Sequence, residues 1–361
     1  MKRMVVAGSL TMLLMQPVLP TTAFALEKPV VTESTHYFSD LKKTHWAAPA
    51  IMQLVDKGFM DAYADHSFKP NNYTTRAEAA AVIARTMGIS LESDFNLQAM
   101  DVTKSHPYYK EIRKLAELGI IQNGEWFNPE EPLKRAHISK MIALAYDIEV
   151  DEKNKMSFKD FPKNYWAKNY IESLADTGVV TGKTSKTFEP NSYVTRAHVA
   201  ALTVRGMEFQ RKVKNLEMAY DYLSKNYIPT TNDYSKWTQE VIELVNKIRV
   251  EKGLQPLLQD LALTQLAIIK AQDMLVHNYF EHQSPFYGNP WDMATLFDYE
   301  YSSYGENIAR NFKTPKDTVA GWMASPKHRD NILKLNYTHI GVGIKKTKND
   351  NFYWVQQFSS K

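Results

Sequence analysis

One arrangement occurs three times in the front half of the chain and constrains the fold more than any compositional figure. TTRAEAAAVIART (74–86), LKRAHISKMIALA (133–145) and VTRAHVAALTVRG (194–206) each set an arginine just inside the start of an alanine-rich helix. The arginines, Arg76, Arg135 and Arg196, are 59 and 61 residues apart. A near-fixed period of this kind marks structural units that stack on one another and overrules local readings.

Each unit repeats the same internal ruler. An aspartate (Asp40, Asp101, Asp160) precedes a glycine (Gly58, Gly119, Gly178) by 18 residues, and between them the apolar residues fall at helical spacing: Ile51, Leu54, Val55; Ile112, Leu115, Leu118; Ile171, Leu174, Ala175. The glycine sits where a helix C-terminus favours a left-handed residue. A polar loop follows (FKPNN, FNPEE, FEPNS), and the arginine then opens a second helix, with Thr75 and Thr195 as N-caps. Two short helices cannot bury both apolar faces alone, so the units are expected to pack into one helical body. Residues 207–226 read as continuing helix and IPTTND (228–233) as a linker, which makes 207–234 a helical linker.

An arginine in a first turn opposes the helix macrodipole and therefore calls for a partner. Spacing alone allows an internal one, Asp40, Asp101 or Asp160, as readily as an external ligand. The landmarks of FSDLKKTHWAAPAIMQLVDKGFMDAYADHSFKPNNYTTRAEAAAVIAR, in order, resemble the S-layer homology (SLH) family. The resemblance covers three modules, 37–88, 99–147 and 157–206. It implies an all-α pseudo-trimer bundle that binds secondary cell wall polysaccharide, often pyruvylated, without a covalent link. Carried over by position, its binding residues are Asp40, Trp46 and Arg76, Asp101 and Arg135, and Asp160, Trp166 and Arg196. The chemistry agrees: a guanidinium holds the carboxylate of a pyruvate ketal through paired hydrogen bonds, and an indole face packs on a sugar ring. The second unit departs from the pattern, with Pro107 at the tryptophan position and LKRAH for TRAE, so its groove is expected to be weak. His137 and His198 replace the motif glutamate, which survives as Glu78; both histidines read as helix-surface residues.

From about residue 235 the pattern changes. Two amphipathic helices are followed by HIGVGIKKT and NFYWVQQFS around a KND turn, a β-hairpin, so residues 235–361 read as an α+β or layered domain. Three segments read as loops, YFEHQSPFYG, YGENIARN and WMASPKHRDNI, concentrate His282, Glu306 and His328. Two imidazoles and a carboxylate suit a metal site or an acid–base pair. With NKIRVEKGLQPL, GWMASPKHRDNIL and YWVQQFS, these landmarks resemble the bacterial branch of the CAP superfamily, the SCP-like extracellular domain. That resemblance implies an αβα sandwich whose groove gathers His282, Glu306 and His328. Ser325 stands where eukaryotic members commonly carry a second glutamate. Asn307, Arg329 and Asn331 either orient the groove or tie a loop to a helix, Ser284 reads as a turn cap, and Trp322, Trp354 and Phe358 read as core.

The remaining composition sets bounds. Lys2 and Arg3, an apolar run and Ala23-Phe24-Ala25 read as a signal peptide over 1–25, and its removal lowers the formal charge from +4 to +2, too little to argue for nucleic acid. After Ala25 no apolar stretch is long enough to span a bilayer, so no membrane span is expected in the mature protein. The absence of cysteine removes disulfides, thiol nucleophiles and thiolate metal sites and suits a Gram-positive bacterium. The sequence thus leads first to a non-catalytic reading, an exported wall-anchored protein displaying a CAP domain that binds a ligand or wall component, and leaves open whether the protein is an enzyme. The alternative is a metal-dependent hydrolase, with zinc as the metal for His282, Glu306 and His328.

Overall fold

The computed structural model describes residues 38–361; the segment read as a signal peptide lies outside them. Each repeat folds as helix, loop, helix: α1 (Ala48–Asp56) and α2 (Arg76–Thr86), α3 (Tyr109–Glu117) and α4 (Arg135–Ala145), α5 (Lys168–Asp176) and α6 (Arg196–Lys214). The ruler glycines take φ of 68°, 71° and 75°, the left-handed geometry that ends the first helix of each pair. Pro49 lies in the first turn of α1, and Thr75 caps α2 through a reciprocal box with Glu78.

The repeats join in a cycle. α2 packs on α3, α4 on α5 and α6 on α1, while α2, α4 and α6 also meet one another. The first-turn amides of each second helix, which have no intrahelical acceptor, are satisfied by the loop of the next repeat. Arg76 N–H donates to Glu131 O, Arg135 N–H to Ser192 O and Arg196 N–H to Asn72 O, each at 2.9 Å. One apolar core, from Phe38 to Phe209, runs through all three repeats, with Ile51, Leu54, Ile112, Leu115, Ile171 and Leu174 within it. Burying such a side chain contributes about 1.5–3 kcal/mol, and no single repeat could enclose them.

The helical linker expected over 207–234 is corrected. α6 ends at Lys214, and a hairpin follows, β1 (Met218–Asp221) against antiparallel β2 (Asn226–Pro229). Tyr220, Tyr227 and Ile228 favour a strand, Lys225 turns at φ 55°, and Pro229 would interrupt a helix.

Beyond the hairpin come α7 (Ser235–Glu251), β3 (Leu258–Gln259), α8 (Leu261–Val276), α9 (Pro290–Leu296), β4 (Ser303–Arg310), α10 (Pro315–Ala324), α11 (Pro326–Ile332), β5 (His339–Lys346) and β6 (Phe352–Ser360). The sheet order is β3-β5-β6-β4, parallel between β3 and β5 and antiparallel elsewhere. The β5–β6 hairpin agrees with the sequence reading. YGENIARN, read as a loop, is instead strand β4, and Glu306 lies opposite Gln357 in its register. Ile340, Val342 and Ile344 pack with Val241 and Val245 of α7 and Trp322 of α10, and Trp354 and Phe358 join them as core. α8 covers the alternate residues of the sheet, where Ala267, Ala271 and Met274 meet Ile308, Tyr353 and Val355.

Candidate functional site

In the helical half each residue of the repeated motif has a distinct job. Asp40 accepts the backbone N–H of Phe68 (2.8 Å) and Lys69 (2.7 Å), Asp101 those of Phe127 and Asn128, and Asp160 those of Phe188 and Glu189. Lys69, Asn128 and Glu189 are held at φ of 54°, 56° and 59°, so the aspartates clamp a left-handed turn rather than pair with the arginines.

Each arginine instead crosses to the next repeat. Nε of Arg76 donates to Phe127 O (2.7 Å), that of Arg135 to Phe188 O (2.9 Å) and that of Arg196 to Phe68 O (2.8 Å). Each guanidinium also lies over the ring of the same phenylalanine, at 4.8, 4.3 and 4.6 Å. The grooves therefore mix repeats. Arg76 shares one of about 340 Å³ with Phe127, His137, Lys140 and Trp166. Arg135 shares another of about 310 Å³ with Trp46, Lys183, His198 and Arg205. Trp46 and Trp166 are 56% and 49% exposed, leaving an indole face for a ligand.

Position within a repeat groups Trp46 with Arg76 and Trp166 with Arg196; the structure pairs Trp46 with Arg135 and Trp166 with Arg76. His137 and His198, read as surface residues, lie in these grooves against Trp166 and Trp46, with ring centroids 5.3 Å apart in both pairs. Burial, then the charges of Arg76, Lys134 and Lys140, push the His137 imidazole down to about 4; burial, then Arg135 and Lys183, lowers His198. Burial also lowers Arg76 and Arg135, with nearby carboxylates opposing it.

In the second half the structure brings His282 to Glu306. His282 Nδ1 lies 2.9 Å from Glu306 Oε1, and Gln357 Nε2 donates to Glu306 Oε2 at 3.1 Å. The Glu306 side chain is 2% exposed and that of His282 52%, so a buried carboxylate orients an accessible imidazole. His328 lies near enough for His282 to lower its pKa, after burial, which is the larger cause. Asn307, fully buried, donates to the His328 carbonyl (3.0 Å), and Asn331 donates to the Glu306 carbonyl (3.1 Å), so the two asparagines tie β4 to α11. Ser284 accepts from Phe286 N–H and Tyr287 N–H, as a turn cap does.

The residues do not fit a two-histidine, one-carboxylate metal set. Both Glu306 oxygens are engaged within the protein, and among the described residues no group of three His, Asp or Glu side chains is disposed to hold an ion. Sequence reasoning missed Lys270. It lies on α8 beneath the groove, 1% exposed, and donates to Tyr279 Oη (3.0 Å) and the His282 carbonyl (2.9 Å). Burial lowers its pKa against the pull of Glu306, Asp273 and Glu281. The signal was a lysine within the apolar run LALTQLAIIKAQDMLV.

Comparison with known proteins agrees with this division. The S-layer homology domain matches residues 37–80, 101–138 and 157–200, and the Cysteine-rich secretory protein family (CAP) matches 242–358. The chain thus carries three SLH modules and a C-terminal CAP domain, which indicate a secreted, cell-surface protein. It is 47% identical over 127 residues, 35% of this chain and 48% of the relative, to the uncharacterized protein YkwD of Bacillus subtilis. It is 26% identical over 255 residues, 69% of this chain and 30% of the relative, to an S-layer protein of Bacillus thuringiensis subsp. finitimus. A solved extracellular protein containing a SCP domain from Bacillus anthracis aligns at 26% identity and a TM-score of 0.34, covering 42% of this chain and 50% of the other. The chain spans about half or less of the length of these relatives. Among the described residues no helix is long and apolar enough to cross a membrane.

Proposed function

We propose that the helical half moors the protein to secondary cell wall polysaccharide, with the Arg76/Trp166 and Arg135/Trp46 grooves as the grips. A pyruvate ketal supplies the carboxylate for each guanidinium, and its sugar ring packs on the indole. The observation that carries this reading is the coincidence, in both grooves, of a partly buried guanidinium with a half-exposed tryptophan from a different repeat. In fold terms the reading makes the SLH region an all-α pseudo-trimer and residues 235–361 an αβα sandwich. The cyclic arginine contacts and the helices on both sides of the sheet support it.

The anchored CAP domain presents His282 and His328 to a ligand or a wall component. A second reading, acid–base hydrolysis, is favoured by the Glu306–His282 hydrogen bond, which fixes the imidazole's orientation in the manner of a general base.

The anchoring reading is tested by sedimenting the full chain with purified cell walls before and after extraction of their polysaccharide. Arg76→Ala combined with Arg135→Ala is expected to weaken retention by about tenfold or more per groove, since a charge-assisted hydrogen bond contributes about 1.5–3 kcal/mol and 1.4 kcal/mol is tenfold. Unchanged retention of the double variant would refute it.

A further inference from the structure

The three inter-repeat grooves are not equivalent. Arg196 is 5% exposed, whereas Arg76 and Arg135 are only partly buried. Its guanidinium lies between two rings, Tyr63 at 4.8 Å and Phe68 at 4.6 Å. Its Nη2 donates to the Asp61 carbonyl at 2.5 Å, and its Nη1 lies 3.8 Å from Glu78 Oε1. At the position of Glu78 the other two grooves hold His137 and His198, and the tryptophan position of this third groove is Pro107.

We propose that Glu78 is the resident occupant of the third groove, standing where the carboxylate of an acidic sugar stands in the other two. The chain accordingly grips acidic glycan at two grooves and keeps the third closed. This rests on the anchoring reading above and deepens it.

The local chemistry explains how the sequence makes the distinction. The motif glutamate has two oxygens and two tasks: Oε2 accepts the Thr75 N–H at 2.8 Å and closes the capping box, and Oε1 faces Arg196. A histidine at the same place does not accept the cap residue's backbone N–H and carries no carboxylate. His198 Nδ1 lies 2.7 Å from Thr195 Oγ1, the cap of its helix, and brings no negative charge to Arg135. In the Arg76 groove Lys134 stands at the cap, and His137 Nδ1 is buried without a hydrogen-bond partner, a polar atom that a ligand hydroxyl would satisfy. Replacing glutamate by histidine therefore leaves two arginines uncompensated at that position. Retaining it once neutralises the third, and an external carboxylate would have to expel a tethered one.

The test follows the arginine side-chain Nε–Hε NMR signals of the full chain during titration with a methyl hexopyranoside carrying a 4,6-O-pyruvate ketal, with calorimetry giving stoichiometry. Arg76 and Arg135 are expected to respond, Arg196 to stay unshifted, and two sugars to bind per chain. Glu78→Gln keeps an acceptor for the cap and removes the charge, so Arg196 is expected to become a third responder and the stoichiometry to rise from two to three. A response at Arg196 in the native chain, or a silent Arg196 in the Glu78→Gln variant, would overturn the inference and leave the anchoring reading standing. No response at any arginine would overturn both.

Discussion

A guanidinium in the first turn of a helix is electrostatically unfavourable, and three of them in one bundle require a common reason. The structure supplies it: each Nε reaches a phenylalanine carbonyl in the next repeat, so the arginine is a seam between modules before it is a ligand group. The aspartates are equally internal, and Asp160→Asn is expected to cost about 1.5–3 kcal/mol, the usual worth of hydrogen bonds to a charged acceptor, read as a lower urea midpoint. His137 makes a pH prediction. Its folded pKa is depressed to about 4 from the ordinary imidazole value of 6.5, so between those values the unfolded chain binds the proton that the folded chain refuses. Its contribution is fully present above about 6.5, declines as the pH falls through that window and levels off below about 4. Chemical-shift titration of the imidazole checks this, and a midpoint near 6.5 in the folded chain would contradict it.

At the scale of elements, the close approach of α8 to the sheet is made by glycine. A Cβ at Gly341 would lie 2.3 Å from the Leu263 backbone, and one at Gly343 2.1 Å from that of Ala267. These are strand residues facing a helix, so any side chain there would push α8 away and disturb Lys270, which supports the His282 loop from the same helix. Gly343→Ala is expected to destabilise the protein by about 1–3 kcal/mol through overpacking. Denaturant titration measures the loss, and a neutral result would show that α8 can withdraw. The β-rich alternation of HIGVGIKK was readable from sequence, but the reason for its glycines was not, because it lies in a helix some 75 residues upstream in the chain.

For the whole molecule, the β1–β2 hairpin holds both halves. On the SLH side Tyr220 Oη donates to Asp151 (2.6 Å), and Tyr227 Oη accepts the Glu149 N–H (2.9 Å). On the CAP side Tyr287 Oη donates to Asp221 (3.0 Å), and Gln265 Nε2 donates to the Leu216 and Met218 carbonyls. The hairpin thereby ties the helical half to the CAP half. Backbone relaxation in the full chain is expected to give the same rotational correlation time for amides of α4 and of β5. Two separate times would refute the coupling.

The repeat ruler, the helix pairs and the left-handed glycines were legible in the sequence, because each is written in local spacing, whereas the meeting of His282 with Glu306 was expected only from the CAP resemblance. Which arginine meets which tryptophan was not legible, nor was the closure of one groove by Glu78 or the strand that carries Glu306. Those depend on the cyclic packing that sets one repeat's helix against the next repeat's loop and on sheet pairing across some fifty residues. A chain encodes periodicity along its own length, whereas contact between distant segments is selected only when their apolar faces are buried together.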